Sequence, residues 1–221
     1  MGAQKVQWKI RCVIYDCDGV LFDSFEANTK LYNDLCAWVG RGRLSEEEMR
    51  YVHIHTVFEA IHFIFGKENG LEKKALEILR ERQVDLKNYV EYLKMEPHLF
   101  QILEKLKENG ILRVINTNRT TSMKHVMERF NLGPYFEMVV TALDVKNPKP
   151  HPESIEKIIE AFKLKKEEAV FIGDSEVDKQ TAESSGVRFI AYKNREIADD
   201  LYIEDHLDLL NVILNHKAPR R

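Results

Sequence analysis

The sequence predicts an α/β protein: a parallel sheet wound with helices and interrupted once by a long helical insertion. Three observations carry that expectation. Short apolar runs rich in β-branched and aromatic residues recur in the second half, at 111–115, 136–140, 169–172 and 187–192. Stretches with helical spacing separate them, and strands that alternate with helices assemble into parallel, right-handed units. One further run, Cys12-Val13-Ile14-Tyr15, stands far upstream, and residues from about 23 to 95 carry only helical periodicity.

Taken in order, the first run reads as a buried strand. Phe25, Leu31, Leu35 and Val39 then mark one helix, ended by Gly40 and Gly42. Ser45-Glu46-Glu47-Glu48 has capping-box spacing and opens a second. Val57, Ile61, Ile64 and Phe65 continue at helical spacing to Gly66, and 71–82 and 86–95 supply further helices. Pro97 fits the first turn of the next helix, whose buried face is Leu99, Ile102, Leu103 and Leu106 and whose end is Asn109-Gly110. Helices follow on Met123, Val126, Met127 and Phe130, on Ile155, Ile158, Ile159 and Phe162, and up to Gly186. A last helix covers about 206–214, and 216–221 reads as a frayed basic tail.

Composition bounds the function classes. The chain has 221 residues, enough for one large domain or a core with a smaller inserted one. Lys plus Arg number 33 against 36 Asp plus Glu, for a net charge of −3, which gives no whole-chain reason to expect nucleic acid. Cys12, Cys17 and Cys36 lack metal-binding spacing and read as reduced, core-lying thiols of an intracellular protein. No stretch approaches a membrane span and no signal segment opens the chain, so the expected location is cytoplasmic, as a monomer or dimer.

The chemistry concentrates at predicted strand ends. Asp16-Cys17-Asp18-Gly19-Val20 follows the first strand. Strand alternation places the Asp16 and Asp18 carboxylates on one side, with Cys17 opposite. Two carboxylates at the carboxyl end of a strand suit a divalent metal, a phosphoryl-transfer site, or both. Asn116-Thr117-Asn118 follows a later strand, Lys149-Pro150-His151-Pro152 precedes a helix, and Gly173-Asp174-Ser175 follows another strand with Asp178 one turn on. All should gather on one edge of the sheet. An insertion that begins just after the aspartates overhangs that edge and predicts a lid.

In this order, DxDGV, TN, KPxP and GDSxxD resemble the four signature motifs of the haloacid dehalogenase-like superfamily, the aspartate-nucleophile phosphatases. The resemblance covers nearly the whole chain and is closest to the phosphoglycolate phosphatase and β-phosphoglucomutase-like branch. It implies a Rossmann-like core from residues 1–22 and 96–221 and a helical cap from 23–95. It implies Asp16 as nucleophile, Asp18 as general acid and base, and Lys149 in contact with Asp16 and the phosphoryl group. Thr117 and Asn118 would bind phosphate. Mg2+ would be held by the Asp16 carboxylate, the Asp18 carbonyl and Asp174. Asp178 and Ser175 would stand behind these groups, with Asp178 orienting a metal-bound water or Lys149, or serving the helix cap. Arg119 is a candidate contact to phosphate or carboxylate.

The resemblance implies hydrolysis of a small phosphomonoester, phosphoglycolate-like or a sugar phosphate, through an aspartyl-phosphate. Haloacid dehalogenases themselves lack the second aspartate, so Asp18 argues against dehalogenation. A phosphosugar mutase uses the same two aspartates and is the alternative, and a non-catalytic module of the same fold is the remote one. In the cap, His53, His55 and Thr56 lie between two helices where related proteins place a specificity loop.

Overall fold

A computed structural model describes residues 9–54, 57–66, 70–80 and 87–213. β1 (Cys12–Tyr15) is buried along its whole length, as an apolar four-residue run must be if both of its faces meet helices. β2 (Phe22–Asp23) follows at once. The insertion then brings α1 (Phe25–Val39), α2 (Glu46–Ile54), α3 (Val57–Phe65), α4 (Leu71–Arg80) and the single turn α5 (Lys87–Val90). It closes with β3 (Lys94–Met95), antiparallel to β2. The core resumes with α6 (Leu99–Glu108), β4 (Leu112–Asn116), α7 (Ser122–Arg129), β5 (Met138–Val140) and α8 (Glu153–Ala161). β6 (Ala169–Gly173), α9 (Glu176–Ser185), β7 (Arg188–Tyr192), β8 (Tyr202–Ile203) and α10 (Asp208–Ile213) complete it.

The main sheet runs β5-β4-β1-β6-β7-β8, and every adjacent pair is parallel. β1 lies between β4 and β6, with Cys12 level with both Leu112 and Ala169. The chain builds outward on one side of β1 and then returns to the other. Sheets with such a reversal bind ligands outside the carboxyl ends of the central strands. Side-chain alternation sorts the core into two layers. Val13, Tyr15, Ile115 and Ile172 pack on one face, and Cys12, Ile14, Val114 and Phe171 on the other.

The insertion has an apolar cluster of its own, with Leu35, Cys36, Ala60, Ile61 and Phe65 fully buried within it. The predicted capping box is present: Ser45 Oγ accepts from Glu48 N–H at 3.2 Å, and Glu48 Oε2 accepts from Ser45 N–H at 2.8 Å.

Three expectations need correction. The stretch 86–95 is not a helix: after Val90 the chain leaves the helix and pairs Lys94–Met95 with β2. The insertion is therefore tied to the core by a two-stranded junction, and Glu96 N–H continues it by donating to the Leu21 carbonyl at 3.0 Å. The helix expected at Pro97 starts at Leu99, because His98 takes a left-handed conformation with φ 59°. β8 is a two-residue edge strand that the apolar runs do not reveal.

Candidate active site

Asp16 leaves β1 with its N–H donating to the Ile172 carbonyl at 2.9 Å, so its position is fixed by the neighbouring strand β6. Its side chain is almost wholly buried. Lys149 comes from the loop before α8 and is equally buried, with Nζ 2.7 Å from Asp16 Oδ1 and 2.6 Å from Asp178 Oδ1. A buried ammonium and two buried carboxylates are tolerable only as partners. Burial alone would lower the Lys149 pKa, and the Asp16 and Asp178 carboxylates more than reverse that.

Asp174, on the loop after β6, completes the acidic set. Carboxyl oxygens of Asp16, Asp174 and Asp178 lie within 4.8 Å of one another. Burial pushes the Asp174 carboxyl well up, and the Asp178 and Asp16 charges push it further. Asp16 is raised for the same reasons, against the pull of Lys149. Among the described residues three carboxyl groups share one lysine, and the raised Asp16 and Asp174 show how strongly the cluster resists full ionisation without a further cation. Crowded hard oxygen donors of this kind fit a hard divalent cation such as Mg2+.

Two glycines let the loops close up. Gly19 has φ +75°, and a Cβ there would fall 1.9 Å from Asp174 Oδ2. A Cβ on Gly173 would fall 2.3 Å from the Asp178 Cβ.

Thr117 is buried, its N–H donating to the Val140 carbonyl at 2.9 Å and its Oγ1 accepting from Arg119 N–H at 3.0 Å. Asn118 Nδ2 donates to the Lys149 carbonyl at 3.0 Å, which ties the two loops together, while its Oδ1 is buried with no partner among the described residues. Ser175 caps α9: its Oγ accepts from Asp178 N–H at 3.3 Å and donates to Asp178 Oδ2 at 2.6 Å. Asp178 thus serves both the helix cap and Lys149. His53 lies near the end of α2, but its side chain, like the whole of His55 and Thr56, falls outside the described residues.

Asp18 departs from the strand-alternation expectation. β1 ends at Tyr15 and the chain turns, with Leu21 and Phe22 N–H groups folding back onto the Cys17 carbonyl at 3.0 and 3.1 Å. Asp18 consequently lies outside the acidic set and faces Arg119. Arg119 Nε and Nη2 meet its two oxygens at 2.7 and 2.6 Å. Burial works to raise the Asp18 carboxyl, but the guanidinium overrides it and the net displacement is downward. No sequence motif marked this pairing; Arg119 lies 101 positions from Asp18.

The sequence profile of the haloacid dehalogenase-like hydrolases matches residues 13–192. A subfamily IA hydrolase of Geobacter sulfurreducens PCA is 39% identical, with 93% of this chain and 97% of that one covered at a TM-score of 0.78. A protein of Caldanaerobacter subterraneus subsp. tengcongensis, provisionally named pyrophosphatase PpaX, is 28% identical over 93% of this chain and 95% of its own length. A β-phosphoglucomutase of Clostridium difficile is 16% identical at a TM-score of 0.75, covering 94% and 96%, and shows likeness of fold alone.

Proposed function

The chain belongs to the haloacid dehalogenase-like hydrolase family, and we propose that within it the protein is a magnesium-dependent phosphatase that hydrolyses a small phosphomonoester through a phosphoaspartate at Asp16. One observation carries the reading: a buried Asp16 held at 2.7 Å by a buried Lys149, with carboxyl oxygens of Asp174 and Asp178 within 4.8 Å of its own. The relative named as a pyrophosphatase supports phosphoryl transfer as the chemistry.

Asp16 attacks phosphorus. Its carboxylate oxygen bonds to phosphorus as the bond to the leaving oxygen breaks, and the leaving oxygen takes a proton from Asp18. A water then bonds to phosphorus, its proton passes to Asp18, and the Asp16–phosphorus bond breaks to release phosphate. Arg119 favours the ionised form of Asp18, so Asp18 must turn from Arg119 and take up a proton from water before it can act as the acid. Lys149 holds Asp16 in line and sets its charge against the phosphoryl oxygens. Thr117 Oγ1 accepts from Arg119, which leaves its own O–H to donate to a phosphoryl oxygen. Asp16, Asp174 and the Asp18 backbone carbonyl would hold Mg2+, which supplies further positive charge against those oxygens.

Residues 1–22 and 96–221 form the catalytic core in this reading, and 23–95 form the cap. The separate apolar cluster of the insertion and its β2–β3 junction support that division. Activity on p-nitrophenyl phosphate with Mg2+, lost on chelation and lost in Asp16→Asn, is the expected result. Mg2+ also raises the melting temperature, more at pH 8 than at pH 6 because protons compete for the same carboxylates, and Asp174→Asn removes that shift. A protein that releases no phosphate with Mg2+ ends the phosphatase reading.

A further inference from the structure

Arg119 is placed to do more than hold Asp18, in a second role that rests on the phosphatase reading. Its backbone is pinned at both ends, the N–H to Thr117 Oγ1 at 3.0 Å and the carbonyl to Ala142 N–H at 3.2 Å. Only the side chain is left to move. Nη1 lies 3.4 Å from Ser122 Oγ, a weak contact beside the two strong ones to Asp18. The arginine side chain is 14% exposed and that of Asp18 34%, so the pair is largely buried yet not sealed from solvent.

Both Asp18 oxygens accept from one guanidinium, yet a carboxyl that serves a leaving oxygen must present itself to that oxygen. The two demands compete. A guanidinium fork fits a phosphoryl or carboxylate group as it fits Asp18. A substrate whose leaving half carries its own anion therefore brings Arg119 a replacement partner, next to the very group that must be released. A substrate with an uncharged leaving half brings none and leaves a poorly hydrated cation without a partner.

We propose that Arg119 is a specificity residue: its guanidinium passes from Asp18 to an anionic group on the leaving half of the substrate. The enzyme then favours phosphate anhydrides and phosphate esters of small hydroxy acids over phosphate esters of neutral alcohols.

The test is steady-state kinetics of the full chain with Mg2+ on pyrophosphate, phosphoglycolate, glycerol 3-phosphate and p-nitrophenyl phosphate. The wild type should show kcat/KM at least about tenfold higher for one of the first two than for glycerol 3-phosphate. Arg119→Gln should collapse that ratio toward one, chiefly through KM for the anionic substrate. Arg119→Lys, which keeps the charge without the fork, should restore part of it. If Arg119→Gln fails to give a cooperative melt, Arg119→Lys carries the test, with the ratio falling about threefold or more. Which anionic substrate is preferred distinguishes a phosphoryl from a carboxylate occupant of the fork. Equal wild-type kcat/KM across the four substrates, or variants that slow all four by one factor, overturns the inference and leaves the phosphatase reading standing. Turnover of none of the four by the wild type removes both.

Discussion

Lys149 and Leu35 are both buried, one at the carboxyl edge of the sheet and one in the insertion, for opposite reasons. Leu35 is buried because water expels it, and any apolar side chain of its volume at that helical position would serve nearly as well. Lys149 is buried against its solvation, and the paired carboxyls of Asp16 and Asp178 make that tolerable. The edge of the sheet is thus specified group by group, while the insertion is specified by pattern and volume. The insertion carries exposed charged pairs such as Lys73–Glu77, and its Lys30–Asp34 pair is half-buried. Chemistry demands named atoms at fixed distances; the insertion's apolar cluster demands only side chains that fill its volume.

The contrast can be broken or sharpened by substitution. Asp16→Asn is nearly isosteric and removes one charge from a crowded cluster. It should cut turnover by roughly a thousandfold or more without lowering the melting temperature; a near-normal rate would refute the nucleophile. Lys149→Met strands two buried carboxylates and should cost about 3–5 kcal/mol in urea denaturation, with activity lost as well. An unchanged midpoint would mean that the edge is not held together by charge. Ile61→Ala, fully buried in the insertion, should cost about 2–4 kcal/mol through its cavity. Its kcat on p-nitrophenyl phosphate should nonetheless stay within about threefold; a larger fall would show that packing in the insertion reaches the chemistry.

The smallest effect is a pH slope at the junction between the two regions. His206 is fully buried, with Nε2 2.9 Å from the Val20 carbonyl, and burial lowers its pKa to about 4 from 6.5. Between those values the unfolded chain binds a proton that the folded chain does not, so stability falls as pH drops from 6.5 toward 4. The loss should be roughly 2 kcal/mol between pH 7 and pH 5. His206→Gln should flatten that limb relative to the wild type, and parallel curves would remove His206 as its cause.

The same contrast explains what could be read from sequence. Asp16, Thr117, Lys149 and Asp174 stand where predicted strands end or helices begin, and strand order gathers such positions on one edge without any knowledge of distances. The double duty of Asp178 was legible only as two alternatives, because one carboxylate has two oxygens and the structure uses each for one of them. The Asp18–Arg119 pair was not legible: alternation stops with β1 at Tyr15, and an arginine two positions past Thr117 carries no pattern. β2, β3 and β8 have two residues each, too few to display a period. The helix expected over 86–95 runs past the point where pairing with β2 takes over.

The central claim is that Asp16 carries the phosphoryl group. Acid quench of the enzyme during turnover with Mg2+ and labelled substrate, followed by peptide mass spectrometry, tests it most directly. The account predicts one phosphoryl group on the peptide containing Asp16, labile to hydroxylamine and absent from Asp16→Asn. Phosphate release in a single turnover with the label on another residue, or on none, would contradict it.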